Sequence, residues 1–177
     1  MFSFLLKKKK QYRPEYIEHV IGVVLSNRSI FINPADIFRT NIYSGYAIGR
    51  LFERDKKRLN DEFDFIAIHF IYNALSNLGV DIDTFNSALK SVFDNYDIDA
   101  SYRAFCDIRI VQYYPLDYRE LATEFISSLK VQDFPERFQS ESCRILSCQF
   151  EGVYKKMSKY ILAELKEIGN DYLIERP

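Results

Sequence analysis

His69 is one of only two histidines in the chain and lies within "FIAIHFIYNAL", residues 65–75, a run that otherwise reads as buried core. An imidazole in such a place is either a ligand or general base, or a polar group satisfied inside a packed helix. Wound as a helix, residues 60–78 put Glu62, Ile66, His69, Asn73 and Ser76 on one stripe. Phe63, Ala67, Phe70, Ile71, Ala74 and Leu78 fall on the opposite side. With Asn73 one turn on, the His69 ring has a hydrogen-bond partner without any catalytic task, and a structural role is expected.

Other chemistries meet missing partners. His19 follows Glu15 and Glu18 in "PEYIEHV", but a carboxylate-bridged di-iron bundle needs Glu-x-x-His from two helices, and neither histidine has a glutamate three positions before it. Glu15 and Glu18, with Asp61 and Asp64 of "DEFD", pose a magnesium-dependent hydrolase as a minor alternative, because paired carboxylates on one helix can hold the ion. The G-x-S-x-G nucleophile elbow and both phosphate-cradling glycine loops are absent from the sequence. Cys106 reads as a small buried hydrophobe in preference to a thiolate nucleophile. The repeated D-I-D starts of "DIDTFNSAL" (81–89) and "DIDASYRAF" (97–105) lack the glycine and distal glutamate of a calcium loop and read as helix caps. No catalytic residue, cofactor or metal site is therefore expected.

The most informative stretch is "FRTNIYSGYAIGRLFERDKK", residues 38–57. As one helix it aligns Phe38, Ile42, Gly45, Gly49 and Phe52 as a core face with a glycine notch. A second stripe interleaves cations with tyrosines: Arg39, Tyr43, Tyr46, Arg50, Arg54 and Lys57. Guanidinium forks pair with anions while tyrosine rings supply rigid contact area, so this stripe suits an acidic protein surface or a phosphate backbone. An ordinary solvated face is the competing reading, with Glu53–Lys57, Lys57–Asp61 and Arg58–Glu62 pairing along the helix.

The elements that must position these residues are helices. Six Gly and five Pro are too few for a sandwich or barrel, and most stand where a helix would start or stop. Pro14 opens a helix to about Leu25; Asn33-Pro34 opens a second that continues to about Lys57; a third runs from about Asn60 to Leu78 and stops at Gly79. Short helices follow Asp81 and Asp97, although "IRIVQYY" (108–114) also alternates like a strand, and Asp117 caps a helix to about Lys130. The last element opens at Pro135 and carries Leu146, Phe150, Val153, Met157, Ile161, Leu165 and Ile168 at steps of three and four. At about 50 Å it is longer than the roughly 40 Å body expected of the chain, so a bend near Gly152 or a projecting arm is predicted.

The whole is expected to be an all-α single domain, an irregular bundle of about seven helices with a long C-terminal helix, spanning residues 14–177 behind a basic tail of residues 1–13. With 24 basic and 25 acidic side chains, no global field steers the chain to nucleic acid or anionic membrane. Three cysteines without a C-x-x-C argue for a reducing, cytoplasmic setting. "MFSFLLKKKK" places its apolar residues before its charges, the reverse of a signal peptide, and residue 2 is Phe, so a membrane anchor is not expected. The function expected is non-enzymatic binding of another macromolecule, a protein, as an adaptor, inhibitor or immunity-type neutraliser binds, through the stripe of residues 39–57. The alternative is a nucleic-acid-binding regulator using the same stripe.

Overall fold

A computed structural model describes residues 11–33, 56–96, 98, 100–113, 116–128, 136–168 and 173–174. Among these residues the fold is all-α, with seven helices in one domain and a long C-terminal helix. Helix α1 is Pro14–Ser26, α2 Arg28–Phe31, α3 Lys56–Asn77, α4 Ile82–Asn95, α5 Ala100–Tyr113, α6 Tyr118–Ser128 and α7 Glu136–Glu167. The only strands among the described residues, β1 (Gln11–Tyr12) and β2 (Leu173–Ile174), form a two-residue antiparallel pair, Gln11 opposite Ile174 and Tyr12 opposite Leu173. This pair brings the two ends of the described chain together, and Tyr16 reinforces it by donating its hydroxyl to the Ile168 carbonyl at 2.7 Å.

Local chemistry accounts for most of the boundaries. Pro14 starts α1 at a position where the missing N–H costs nothing. Asn27 ends that helix, its side-chain amide donating to the Val23 carbonyl at 2.9 Å, and the chain turns at once into the short α2, which the sequence reading did not anticipate. Gly79 adopts φ +94°, the left-handed conformation that glycine takes without strain. Its amide donates to the Ser76 carbonyl and the amide of buried Val80 to that of Leu75, the paired bonds of a Schellman stop. Asp81 then caps α4, accepting from the Thr84 amide at 2.8 Å. Asp117 and Glu120 form a reciprocal capping box on α6: Asp117 Oδ1 accepts from the Glu120 amide and Glu120 Oε2 from the Asp117 amide.

Two expectations change and one holds. Helix α3 is already formed at Lys56, ahead of the start expected near Asn60, because "KRLN" contains no glycine or proline and Leu59 is fully buried; the expected second helix, residues 34–57, lies outside the described residues except at its last two positions. The helix expected after Asp97 is present as α5, and the strand-like alternation that begins at residue 108 does not interrupt it. Through Tyr113 the chain is helical, with exposed Ile108 and Gln112 and buried Arg109 and Tyr113 following a helical period. Finally, α7 runs unbroken through Gly152 and is packed along its later turns, so it is not a projecting arm. Phe150 meets Phe70 and Phe125, Tyr154 meets Tyr118, and Tyr160 meets Phe31. Its apolar stripe is as expected from the sequence, with Leu146, Phe150, Val153, Met157, Ile161 and Leu165 all buried.

Helix α3 is the axis of the domain. From Glu62 to Tyr72 only Asp64 is not buried, so this helix is enclosed on every side by α1, α5 and α7, with α4 beside it. A helix hydrophobic all round belongs in a core, and here its few polar side chains, Glu62, Asp64 and His69, are drawn into contacts with other helices.

Candidate functional site: a lined cleft beside a buried ionic cluster

The stripe of cations and tyrosines lies largely outside the described residues: Arg39, Tyr43, Tyr46, Arg50 and Arg54 fall in residues 34–55. Its last member, Lys57, is described, and it is exposed on the first turn of α3. There it lines a cleft of about 520 Å³. Gly22, Leu25 and Ser26 of α1 form one wall, Val92, Phe93 and Tyr96 of the end of α4 face them, and Ile68, Ile98 and Tyr102 close the recess. Most of the lining is apolar; its charged members are Arg28, Lys57 and Asp64.

Two of those charges are already matched. Arg28 and Asp64 form an ion pair across 36 residues of sequence, and Tyr102 donates its hydroxyl to the second Asp64 oxygen at 3.2 Å. Burial pulls the Arg28 guanidinium below its ordinary pKa, against the opposing pull of its neighbours, and pushes the Tyr102 phenol up. Tyr102 is therefore a neutral hydrogen-bond donor. The α4–α5 corner that shapes this wall is held by Arg103, which donates to the carbonyls of Ile98 and Phe93 at 2.7 and 2.9 Å and pairs with Asp94. Tyr96, 59% exposed, stands at the edge of the cleft with its hydroxyl 3.4 Å from Ser26 Oγ.

On another part of α3, Glu62 is only 2% exposed and accepts from Arg109 at 2.8 Å and from the Tyr113 hydroxyl at 2.6 Å. Arg109 also bridges to Glu124 at 3.0 Å and to Gln112 at 2.7 Å, and its guanidinium carbon lies 4.5 Å from the Tyr113 ring centroid. Burial works against the Arg109 charge, but Tyr113 and the two carboxylates outweigh it and hold its pKa above the ordinary value. Burial and the Glu62 carboxylate push the Tyr113 phenol up, keeping it a donor. One guanidinium thus ties α3, α5 and α6 together, and its partners consume most of its hydrogen-bonding capacity. The arrangement is a staple.

His69 lies one helical stretch further on, 2% exposed, with Asn73 Nδ2 3.0 Å from its Nε2 and the Tyr113 ring edge-on at 6.4 Å between centroids. Its Nδ1 is buried without a hydrogen-bond partner, and burial lowers the imidazole pKa to about 4. The Asn73 contact is the one expected from the sequence; on its stripe Glu62, Ile66 and His69 are buried, and Asn73 and Ser76 are partly exposed. The remaining candidates are dispersed or engaged. Glu15 and His19 are exposed; Glu18 accepts from Asn95 at 2.6 Å; Asp64 is held as described; Cys106 is fully buried beside Tyr102. Among the described residues no group of three or more His, Cys, Asp and Glu side chains is placed to hold a metal ion.

Neither the cleft nor the ionic cluster was visible in the sequence. Glu62 and Asn73 had been placed on the stripe of His69, but Arg109 lies 47 residues away from Glu62. The one local signal was Arg109 and Tyr113 at i, i+4. What the fold and site together define is a single all-α domain with a partly apolar cleft that Lys57 helps to line. Compared with protein-family models, with curated proteins and with solved structures, the chain matches none. Among the described residues no helix is long and apolar enough to cross a membrane.

Proposed function

We propose that the protein acts by binding a macromolecular partner, a protein in the cytoplasm, as an adaptor, inhibitor or immunity-type neutraliser does, through the stripe Arg39, Tyr43, Tyr46, Arg50, Arg54 and Lys57. The observation that carries this reading is that exposed Lys57 and the exposed Tyr96 ring both line a mainly apolar cleft. An apolar hollow beside tyrosines and cations is the composition of an interaction surface, where a few aromatic and arginine side chains dominate the energetics. The Arg28–Asp64 pair in the cleft and the Glu62–Arg109 pair elsewhere on α3 are consumed by internal pairing, which favours recognition over proton transfer or nucleophilic attack.

The test is capture of partners from native lysate by tagged protein, with and without nuclease, followed by the same capture with Arg50→Glu/Arg54→Glu. A stoichiometric protein retained through nuclease and lost from the charge-reversed variant supports the reading. Loss of all bound material on nuclease treatment would shift it to nucleic acid, and unchanged capture by a folded variant would sink the stripe.

A further inference from the structure

We propose that the cleft between α1, α3 and α4 is a binding site for a small uncharged aromatic molecule with one hydrogen-bonding N–H or O–H group, a compound of the indole or phenol class. This goes beyond the partner-binding reading and does not rest on it: the occupant is a free small molecule, held by the apolar recess.

The recess is preformed and of a size typical of pockets that enclose an organic group, at about 520 Å³. Ile68, Val92 and Phe93 line it at 1%, 3% and 6% exposure, so the surface offered to an occupant is set by core packing. Gly22 leaves the α1 wall without a side chain opposite Tyr96, where a Cβ would stand 4.0 Å from the ring. The Tyr96 ring is 59% exposed and offers a face on which a planar molecule stacks. Covering that ring together with the apolar lining is the burial that drives binding.

Charge selects against an ion. Arg28 and Asp64 pair with each other, Tyr102 meets the second Asp64 oxygen, and Asp61 lies near enough to act on Arg28. Arg28 and Lys57 thus stand against Asp64 and Asp61, two charges of each sign. An anion or a cation entering here sheds its water and finds no net opposite charge in exchange, whereas an uncharged ring system gains by burial without that cost. The polar hook is at the edge, where the Tyr96 hydroxyl lies 3.4 Å from Ser26 Oγ and both residues are exposed. Either hydroxyl oxygen can accept from an indole N–H or a phenol O–H. The volume takes such a molecule whole, so a free compound covers more of the lining than a partner's side chain, of which only the end enters.

The experiment is titration of the full-length ¹⁵N-labelled protein, followed by amide chemical shifts, with four probes: 3-methylindole, indole-3-acetate, tryptamine and acetyl-Gly-Trp-Gly-amide. The expected result is millimolar binding of 3-methylindole, as suits a ligand of so few atoms, with shifts centred on Gly22, Ile68 and Tyr96. Indole-3-acetate and tryptamine, which add one charge of either sign to the same rings, should each bind at least about three-fold more weakly. Gly22→Phe puts a ring into the space beside Tyr96 and should abolish binding. Tyr96→Ala, at an exposed position, should weaken 3-methylindole several-fold and serves if the Gly22 variant does not fold. Lys57→Glu unbalances the lining charges and should turn the preference between the two ions towards tryptamine.

No binding of 3-methylindole, shifts away from the cleft, undiminished binding by a folded Gly22→Phe variant, or tighter binding of either charged probe would each overturn the proposal. Tighter binding of the tripeptide than of 3-methylindole would overturn it in favour of an aromatic side chain of a partner. The partner-binding reading fails on a different result, unchanged capture by the folded Arg50→Glu/Arg54→Glu variant, so the two failures are distinguishable.

Discussion

Substituting His69 by glutamine should flatten the acid limb of the stability curve. In the folded protein the imidazole is 2% exposed, and burial lowers its pKa from 6.5 to about 4. The unfolded chain therefore takes up a proton on this residue as the pH falls through about 6.5, whereas the folded chain resists doing so until about pH 4. Stability from neutral His69 is present in full above pH 6.5 and is lost progressively below it. Between pH 7.5 and 4.5 the loss attributable to this group is about 2.5 kcal/mol, from the two pKa values and 1.36 kcal/mol per unit. Urea unfolding by circular dichroism at half-unit pH steps measures it. Other titrating groups move both proteins alike, so the difference between wild type and His69→Gln isolates the histidine. The variant will be less stable at pH 7.5, because Asn73 loses its ring partner, yet the gap should narrow or reverse by pH 4.5. Parallel curves from pH 7.5 to 4.5 would refute the assignment of a buried neutral imidazole.

Three further outcomes follow from the geometry. Arg109→Met leaves the Glu62 carboxylate enclosed without its cation and should cost about 3–5 kcal/mol in urea unfolding, while adding Glu62→Gln should recover part of that loss. Gly79→Ala imposes a side chain on φ +94° and should lower stability by about 1–2 kcal/mol although the space around it is open, so a neutral result would remove the left-handed stop from α3. Phe150→Ala empties a site where rings of Phe70 and Phe125 meet it edge-on, and a loss of about 3–5 kcal/mol is expected by thermal or chemical unfolding.

The residues that could be read in isolation are those whose conformational preference is local. Pro14, Gly79, Asp81 and Asp117 mark element ends through the φ they allow or the amide they satisfy, and each does so in the structure. The stripe of α7 was legible because one face of that helix is wet and the other dry. Helix α3 was harder. Its mixed stripe read as half polar, since nothing in a buried all-round helix distinguishes the side facing an ion pair from the side facing water. Its start was placed near Asn60, whereas the helix is already formed at Lys56, since nothing in "KKRL" restricts the backbone. Of the proposed stripe, Lys57 alone falls in the described residues, where it is exposed.

The sequence by itself determined the helical class, most of the caps and the buried face of the last helix, because these depend on neighbours within about four positions. Only the tertiary structure decided that Glu62 meets Arg109 and Tyr113, that Asp64 neutralises Arg28, and that α1, α3 and α4 leave a cleft lined in part by Lys57. Those pairings join residues 36 to 51 positions apart. Their partners are chosen by how whole helices pack, a property of summed burial that no short window of residues contains.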